Sequence, residues 1–288
     1  MKRFVSLVLV LLLLLTAAGC RQEESLPSAT TSPATPEFTA RELYWKMRNA
    51  IGMGYPTCYT EEQEFFYSVD TREAGFRERT QAVIAKDPYR MNVGYEWTEY
   101  DDEEELTSYR ILYYREKEEG VDVYGYDGTS GYWFYDDAEG LTRRELEIGR
   151  ATLHPTEFSE NMTLDPETQT VGEREAYVLR YRESFSESFG ETSVPEKYAV
   201  LKTMEAENRL YIDVETFRLL QAEVELSELS EAEAKAVYWF YTGADYTGKK
   251  ALTVTSFLCA YRGIRYDAVE VPPVPEEAFE QVHGFGNT

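Results

Sequence analysis

The 288-residue chain carries 29 basic and 53 acidic side chains, a formal net charge of −24. This excess of acid disfavours nucleic-acid binding, which needs clustered Lys and Arg to neutralise phosphates. Apolar residues make up 43% of the chain and aromatic residues 14%, which can support a sizeable core and excludes wholesale disorder. The histidines, His154 and His283, are too few for a His-rich metal site and leave little material for His-based acid–base chemistry.

The first twenty residues have the organisation of a targeting segment. Lys2 and Arg3 precede an apolar run over residues 4–15, and small residues lead from there to Cys20. A helical run of this length covers roughly 18 Å against about 30 Å of bilayer core, which indicates a signal peptide over residues 1–19. The small residues before Cys20 resemble the bacterial lipobox, which implies cleavage there and acylation of the cysteine thiol. An ordinary secretory signal with an incidental cysteine is the alternative.

Residues 20–38 are predicted to form the lipidated cysteine and a flexible tether, followed by one domain over residues 39–288. Pro, Ser and Thr dominate the tether, so burial there cannot offset the entropy of ordering it. The acidic chain also repels anionic lipid headgroups. Attachment to the cell membrane is therefore expected through two acyl chains on Cys20, with the domain on the extracytoplasmic side.

One amphipathic helix is predicted at the start of the domain. Thr39 begins a capping box, and Leu43, Met47 and Ile51 then recur at helical spacing before Gly52. A single apolar stripe implies that the helix packs against a larger surface.

After Pro56 the apolar period changes to two, which is typical of strands with one wet face. The clearest run alternates polar residues with Tyr89, Met91, Val93, Tyr95 and Trp97. Shorter alternations are Tyr109/Ile111/Tyr113, Tyr177/Leu179/Tyr181 and Leu220/Ala222/Val224/Leu226. Weaker strand candidates cover residues 59–69, 77–85, 121–126, 132–135, 210–213 and 252–261, with turns at 127–128 and 136–140. The short connections favour an antiparallel meander, because parallel strands need long crossovers.

Three segments depart from this pattern. Residues 151–170 are predicted to hold a short helix or an irregular lid. Ser230 begins a second capping box, but the segment that follows it, up to Gly243, fits a helix or a strand. Pro275 suits the first turn of a brief terminal helix.

This order of elements resembles extracytoplasmic lipoproteins of the LolA/LolB type and the related LppX/LprG lipid carriers. The likeness is carried by Asp87–Met91, Gly131–Trp133, Gly172–Leu179, Tyr211–Thr216, Tyr266–Val269 and Val274–Glu277. The resemblance implies a mainly β (α+β) fold: a strongly curved antiparallel sheet, or half-barrel, with the N-terminal helix and short helices on its concave side and an apolar cavity between. It also implies a carrier of lipids or lipid-modified cargo that has no catalytic residue, metal or cofactor.

The candidates for the wall of such a cavity are Met47, Ile51, Tyr89, Met91, Val93, Tyr95, Trp97, Ile111 and Tyr113. The chain supplies 23 Tyr, 14 Phe and 4 Trp, and alternation places a large share of these rings on one sheet face. The alternative for each ring is that it fills a dry core.

The remaining cysteines, Cys58 and Cys259, lie in the first and last long predicted strands. Outside the cytoplasm they predict either a disulfide or two free buried thiols. The chain has no CxxC, Gly-x-Ser-x-Gly, HExxH, P-loop or GxGxxG motif, and its acids are too abundant for any chosen carboxylate pair to be informative. No catalytic residue, metal ligand or cofactor is therefore predicted.

The leading hypothesis is a lipid-anchored extracytoplasmic binding protein that holds a hydrophobic ligand or acylated partner without catalysis. The alternative is a cell-envelope sensor or scaffold that uses the same fold, with a filled core, to bind a protein partner. An enzyme with a site built on loops is the third hypothesis.

Overall fold

The computed structural model describes residues 38–52, 56–86, 89–101, 104–118, 120–138, 157–189, 193–226 and 229–284. The chain divides into two units, residues 1–34 and 35–288, and every described residue belongs to the second. The predicted signal peptide, Cys20 and nearly all of the tether lie outside the described residues.

The strands are β1 (Cys58–Val69), β2 (Arg72–Lys86), β3 (Tyr89–Asp101), β4 (Glu104–Glu116), β5 (Val121–Asp127), β6 (Tyr132–Ala138), β7 (Thr163–Leu164), β8 (Gln169–Val171), β9 (Arg174–Ser184), β10 (Glu205–Asp213), β11 (Leu219–Glu225) and β12 (Leu252–Arg265). The helices are α1 (Ala40–Ile51), α2 (Phe185–Ser188), a 3-10 helix (Glu196–Lys202), α3 (Glu231–Thr242) and α4 (Glu276–Gly284).

All twelve strands belong to one open antiparallel sheet, in the order β6-β5-β4-β3-β2-β1-β12-β11-β10-β9-β7, with β8 paired to β9. The predicted antiparallel meander is confirmed. Several strands run further than their alternation indicated, and β6 continues into the turn predicted at residues 136–140. Residues 151–170 were predicted to hold a short helix or an irregular lid, but their described part instead contains β7 and most of β8, and both strands pair with β9.

Capping boxes fix the starts of both long helices. The Thr39 side chain accepts from the Glu42 amide while the Glu42 carboxylate accepts from the Thr39 amide, so α1 begins as predicted. Ser230 and Glu233 make the same pair of bonds at α3, and Gly243 ends that helix in the left-handed region at φ 67°. The segment that fitted a helix or a strand is therefore a helix.

Two clusters of buried side chains lie on the same face of the sheet, which we call the inner face. The first, which we call the α1 cluster, is built around Leu43, Met47 and Ile51 of α1 and includes Tyr59 of β1. The second, which we call the α3 cluster, is built around Ala236 and Val237 of α3 and includes Phe65 of the same strand β1. Tyr59 and Phe65 point to one side because side chains alternate along a strand and the β1–β2 register is unbroken. Helices α1 and α3 therefore both cover the inner face, as expected of the N-terminal helix and short helices.

The sheet curves around α1. Buried residues of the α1 cluster come from seven neighbouring strands, β3, β2, β1, β12, β11, β10 and β9. Laid flat, seven strands would be about 29 Å wide, whereas a helix with its side chains is roughly 10 to 12 Å across. A single buried cluster that spreads over seven strands around one helix is the packing expected of a sheet that bends around the helix. Gly263, at φ 60°, lies at a register shift between β1 and β12 that contributes to this bending.

The terminal helix α4 lies on the opposite face, the outer face, which corrects the expectation that the short helices share the concave side. Phe279 of α4 packs on Tyr124 of β5, with ring centroids 4.9 Å apart. Tyr124 lies opposite Tyr113 of β4, which faces away from α1. The segment between β12 and α4, residues 266–275, therefore carries α4 around to the other side of the sheet.

A register shift also moves one predicted inner residue. Leu220 was grouped with Ala222, Val224 and Leu226, but it is buried in a cluster of the outer face. The shift between Tyr211 and Ile212 in the β10–β11 pairing adds one residue, so alternation changes face at this point.

The structure does not join Cys58 and Cys259, for which the sequence left a disulfide and two free thiols as alternatives. Both thiols are free, with Cys58 half-buried and Cys259 buried. Cys259 lies opposite Gln63, five residues along β1 from Cys58. That offset is roughly 17 Å along a strand, whereas bonded cysteines have Cα atoms about 4.4 to 6.8 Å apart. The alternative of two free thiols therefore holds.

Candidate functional site

A groove of about 380 Å³ lies on the inner face, over the part of the sheet formed by β3, β4 and β5. Its lining residues are Tyr95, Trp97, Ser108, Tyr109, Arg110, Leu112, Asp127 and Thr129. Among the described residues, the buried members of the α1 and α3 clusters include none from β4, β5 or β6. The groove therefore begins where the cover of the two helices ends.

The register of β3 and β4 determines which side chains meet in the groove. Trp97 lies opposite Ser108, and Tyr95 lies opposite Arg110. Leu112 lies opposite Val93, a buried member of the α1 cluster. Because opposed residues in an antiparallel pair point to the same face, the groove floor continues the inner face outward from the core.

Large exposed apolar side chains flank the groove on two sides, Tyr132 and Phe134 on the edge strand β6 and Leu106 further along β4. Leu106 is 69% exposed, Tyr132 is 71% exposed and Phe134 is 38% exposed. Their partners across the ladder are Glu99, Asp127 and Gly125, so all three lie on the inner face. The Phe134 ring lies over Gly125 so closely that a Cβ atom there would be 2.0 Å from it. A glycine is needed at position 125 for the ring to lie flat on the sheet.

A paired charge closes one end of the groove. The Arg110 guanidinium lies 3.4 Å from the Asp127 carboxylate, and its central carbon lies 5.9 Å from the centre of the Phe134 ring. Asp127 also accepts hydrogen bonds from the amides of Thr129 and Ser130 at 3.0 Å. The Ser130 amide is the main cause that lowers the pKa of Asp127. Asp127 is thus held as a carboxylate, and the apolar groove ends at a polar turn.

The Trp97 side chain is held in place by neighbouring residues of the same sheet face. Its ring stacks on Phe76 of β2 with centroids 4.4 Å apart, and its indole nitrogen donates to Glu99 at 3.0 Å. Phe76 belongs in turn to the α3 cluster. The apolar wall of the groove is therefore fixed by the core rather than by a loop.

The structure brings together only part of the predicted cavity wall. Tyr95 and Trp97 line the groove. Met47, Ile51, Tyr89, Met91 and Val93 are buried inside the α1 cluster. Their role in ligand binding stays a prediction.

Ile111 and Tyr113 lie on the outer face, which corrects their inclusion in the wall. They pair with Gly94 and Asn92 of β3, whereas Met91 and Val93 pair with Tyr114 and Leu112. Tyr113 instead borders a cleft of about 220 Å³ beside Val271–Val274 and Phe279. The alternation in β4 predicted Ile111 and Tyr113 on the inner face, but the pairing with β3 places Leu112 there instead.

Sequence reasoning missed Ser108, Arg110 and Leu112, the groove residues on the inner face of β4. The signal that could have found them is the hairpin register: Asp101 pairs with Glu104, which forces Trp97 to face Ser108. The alternation within β4 could not decide this, because both of its faces carry large side chains.

Metal-binding clusters and membrane-spanning helices are two further features that bear on function. Among the described residues, no group of three or more His, Cys, Asp and Glu side chains is placed to hold a metal ion. Within the same residues, no helix is both long and apolar enough to cross a bilayer.

Comparisons with known proteins gave structural likeness only. No family model matches the chain, and no curated protein matches it. A DUF1329 family protein from Desulfovibrio piger is 12% identical over 88% of this chain and 99% of its own, with a TM-score of 0.23. A putative outer membrane lipoprotein-sorting protein domain from Vibrio parahaemolyticus is 9% identical over 83% and 94%, with a TM-score of 0.20. A LolA superfamily protein from Nitrosomonas europaea is 11% identical over 84% and 97%, with a TM-score of 0.21.

Proposed function

We propose that this protein is a membrane-anchored extracytoplasmic lipoprotein that holds a hydrophobic ligand, such as an acyl chain, in the inner-face groove. The observation that carries the proposal is the exposure of Leu106, Tyr132 and Phe134 next to a groove whose apolar wall is Tyr95 and Trp97. Single exposed apolar residues are ordinary, but Tyr132 and Phe134 are same-face neighbours on β6 beside a concavity, as is expected of a binding surface. The groove volume also falls in the range of ligand pockets.

The proposed role needs no catalysis. The polar groups at the groove include an arginine paired with an aspartate and four side chains that carry a hydroxyl, and these can orient a ligand. The acyl anchor is expected on Cys20, which would keep the groove close to the membrane that supplies the ligand.

Quenching of tryptophan fluorescence by a fatty acid brominated along its chain tests the groove. We expect the ligand to quench Trp97, so that Trp97→Phe removes most of the quenching. Trp133 lies on the outer face, opposite Tyr126, and Trp133→Phe is the matched control that should keep it. Equal quenching in the two variants would contradict the proposed site.

A second variant tests the groove without changing Trp97 or its contacts with the core. Ser108→Phe places a ring against Trp97 and should weaken fatty-acid binding at least tenfold, which corresponds to about 1.4 kcal/mol. The neighbouring Thr107 is exposed and points to the outer face, opposite Thr98, so Thr107→Phe should bind as the wild type does. Binding that survives Ser108→Phe would place the ligand elsewhere.

The proposed acyl anchor on Cys20 is tested by a separate measurement. The intact mass of the protein extracted from membranes should show acyl chains on Cys20, and Cys20→Ala should release the protein from the membrane. An unacylated protein that is released without substitution would overturn the anchor and leave the groove untouched. Crosslinking in cells that recovers a stoichiometric protein partner and no lipid would instead favour the sensor or scaffold.

A further inference from the structure

A belt of polar side chains crosses the inner face between the α1 cluster and the α3 cluster. Its members, which we call the polar belt, are Glu61, Gln63, Glu78, Thr80, Cys259 and Tyr261. The registers place them together: Glu61 lies opposite Thr80 and Tyr261, and Gln63 lies opposite Glu78 and Cys259. Polar residues in the middle of an otherwise apolar face are costly to desolvate, so they indicate a role beyond packing.

The two carboxylates of the belt have neutral hydrogen-bond donors but no described cation. Glu61 accepts from the Gln63 amide nitrogen at 2.8 Å and from the Tyr261 hydroxyl at 2.9 Å. Glu78 accepts a long bond from the Thr80 hydroxyl at 3.4 Å. Both glutamates are half-buried. Burial, and then the nearby Glu61 carboxylate, raise the pKa of Glu78 above its ordinary value.

The opposite face of the same strand shows the contrast. Glu62 and Glu64 of β1 point to the outer face, and each lies within ion-pair distance of an arginine: Glu62 pairs with Arg262 at 2.9 Å and Glu64 pairs with Arg77 at 2.7 Å. Among the described residues, Glu61 and Glu78 have no such ion pair. In the described part of the chain, the inner-face carboxylates therefore lack the cationic partners that the outer-face carboxylates have.

An independent observation points to the same place. The hydroxyl oxygen of Tyr241, on α3, is buried and has no hydrogen-bond partner among the described residues. Burial raises its pKa well above the ordinary value, and Cys259, Glu61 and Glu78 contribute to that rise. Leaving a buried hydroxyl unpaired costs roughly 1 to 3 kcal/mol. An unsatisfied hydroxyl near two carboxylates that have no ion pair is the arrangement expected where a polar group of a ligand belongs.

The belt is continuous with the groove. On β3, Trp97 lies directly opposite Glu78 and Tyr95 lies directly opposite Thr80. The same two aromatic side chains line the groove on their other side. An apolar chain lying along Trp97 would therefore bring one of its ends to Glu78.

We propose that the protein's ligand is an amphiphile with a protonated amine head, which binds Glu61, Glu78 and the Tyr241 hydroxyl while its apolar chain lies in the groove. An ammonium group has three donors and no acceptor, which matches three oxygens that lack a donor of positive charge. The inference rests on the proposed function and names the class of its ligand.

Titration calorimetry of the full chain in lipid nanodiscs, with empty nanodiscs subtracted, tests the inference with three probes of equal chain length: dodecylamine, dodecanol and dodecanoate. We expect dodecylamine to bind at least tenfold more tightly than dodecanol, and dodecanoate to bind most weakly. The double variant Glu61→Gln/Glu78→Gln should bind dodecylamine and dodecanol equally. Tyr241→Phe should reduce the preference for the amine severalfold.

The matched control is Glu62→Gln/Glu96→Gln. It removes the same charge from β1 and β3, but both side chains belong to the outer face, so the amine preference should persist. Equal loss in the two double variants would show that net charge alone attracts the amine. A wild type that binds dodecylamine and dodecanol equally would show that the polar belt does not recognise the amine. Either result overturns the inference and leaves the proposed function standing. A wild type that binds none of the three probes overturns both.

Discussion

Asp213 shows how one carboxylate can fix a chain reversal. It ends β10, is 1% exposed, and accepts hydrogen bonds from the Thr216 amide at 2.6 Å and the Thr216 hydroxyl at 2.7 Å. Arg174 lies 2.7 Å away. Burial acts to raise the pKa of Asp213, but the bonds from Thr216, followed by Arg174, hold it below its ordinary value. These bonds hold the chain reversal between β10 and β11.

Replacing Asp213 should therefore have a cost that depends on pH. Asp213→Ala should lower the free energy of unfolding by about 3 kcal/mol at pH 7, because it leaves Arg174 and the turn amides without their acceptor. Since folding lowers this pKa, the stabilisation is present above the ordinary pKa of 3.8 and is lost as the pH falls through the folded value.

Urea unfolding of wild type and variant between pH 7 and pH 2.5 measures this difference. Asp267→Ala is the control, because the Asp267–Arg218 pair, at 2.8 Å, has an aspartate that is 78% exposed. Its removal should cost less than about 1 kcal/mol. A difference for Asp213→Ala that stays constant down to pH 2.5 would contradict the assignment.

At the scale of elements, α1 packs on the sheet through a single stripe of apolar side chains. Met47 is fully buried within the α1 cluster, whereas Trp45 of the same helix is 48% exposed. Because the stripe follows from spacing along the helix, the sequence predicted it correctly. The strands were harder: β4 carries aromatic residues on both faces, and only its pairing with β3 shows that Leu112 rather than Ile111 faces the groove.

Truncations on the two sides of α1 should differ sharply. Met47→Ala should lower the free energy of unfolding by about 2 to 5 kcal/mol, because it removes buried methylene groups and leaves a cavity. Trp45→Ala, on the same helix, should cost less than about 1 kcal/mol. Thermal or urea denaturation checks both, and equal costs would mean that α1 does not pack on the sheet through this stripe.

At the scale of the whole molecule, the ladder between the first and last long strands decides the state of the cysteines. The sequence could place Cys58 and Cys259 in neighbouring regions but could not give their relative register. The register separates them by five residues along β1, so the sheet is held by hydrogen bonds and packing at this seam rather than by a covalent bond.

Counting thiols checks this arrangement. The mature protein, unfolded without a reductant, should show two reactive thiols if Cys20 is acylated and three if it is not. In the folded protein Cys58 should react first. Cys259 should react only on unfolding, because it is buried and burial raises the pKa of its thiol. Cys58→Ser assigns the faster thiol, and a protein with neither cysteine free until reduction would contradict the register.

The sequence by itself determined the local features of this protein: the capping boxes at Thr39 and Ser230, the apolar stripe of α1, the alternation in β3 and the antiparallel pairing of consecutive strands. Each depends on residues close together in the chain, whose spacing is readable directly. Tertiary structure alone decided the bulge that turns Leu220 outward, the face of β4 that meets the groove, the side of the sheet that α4 covers and the gathering of Glu61, Glu78 and Tyr241. These depend on register and curvature, which arise only when strands distant in sequence pair, and a shift of one residue moves every side chain to the other face.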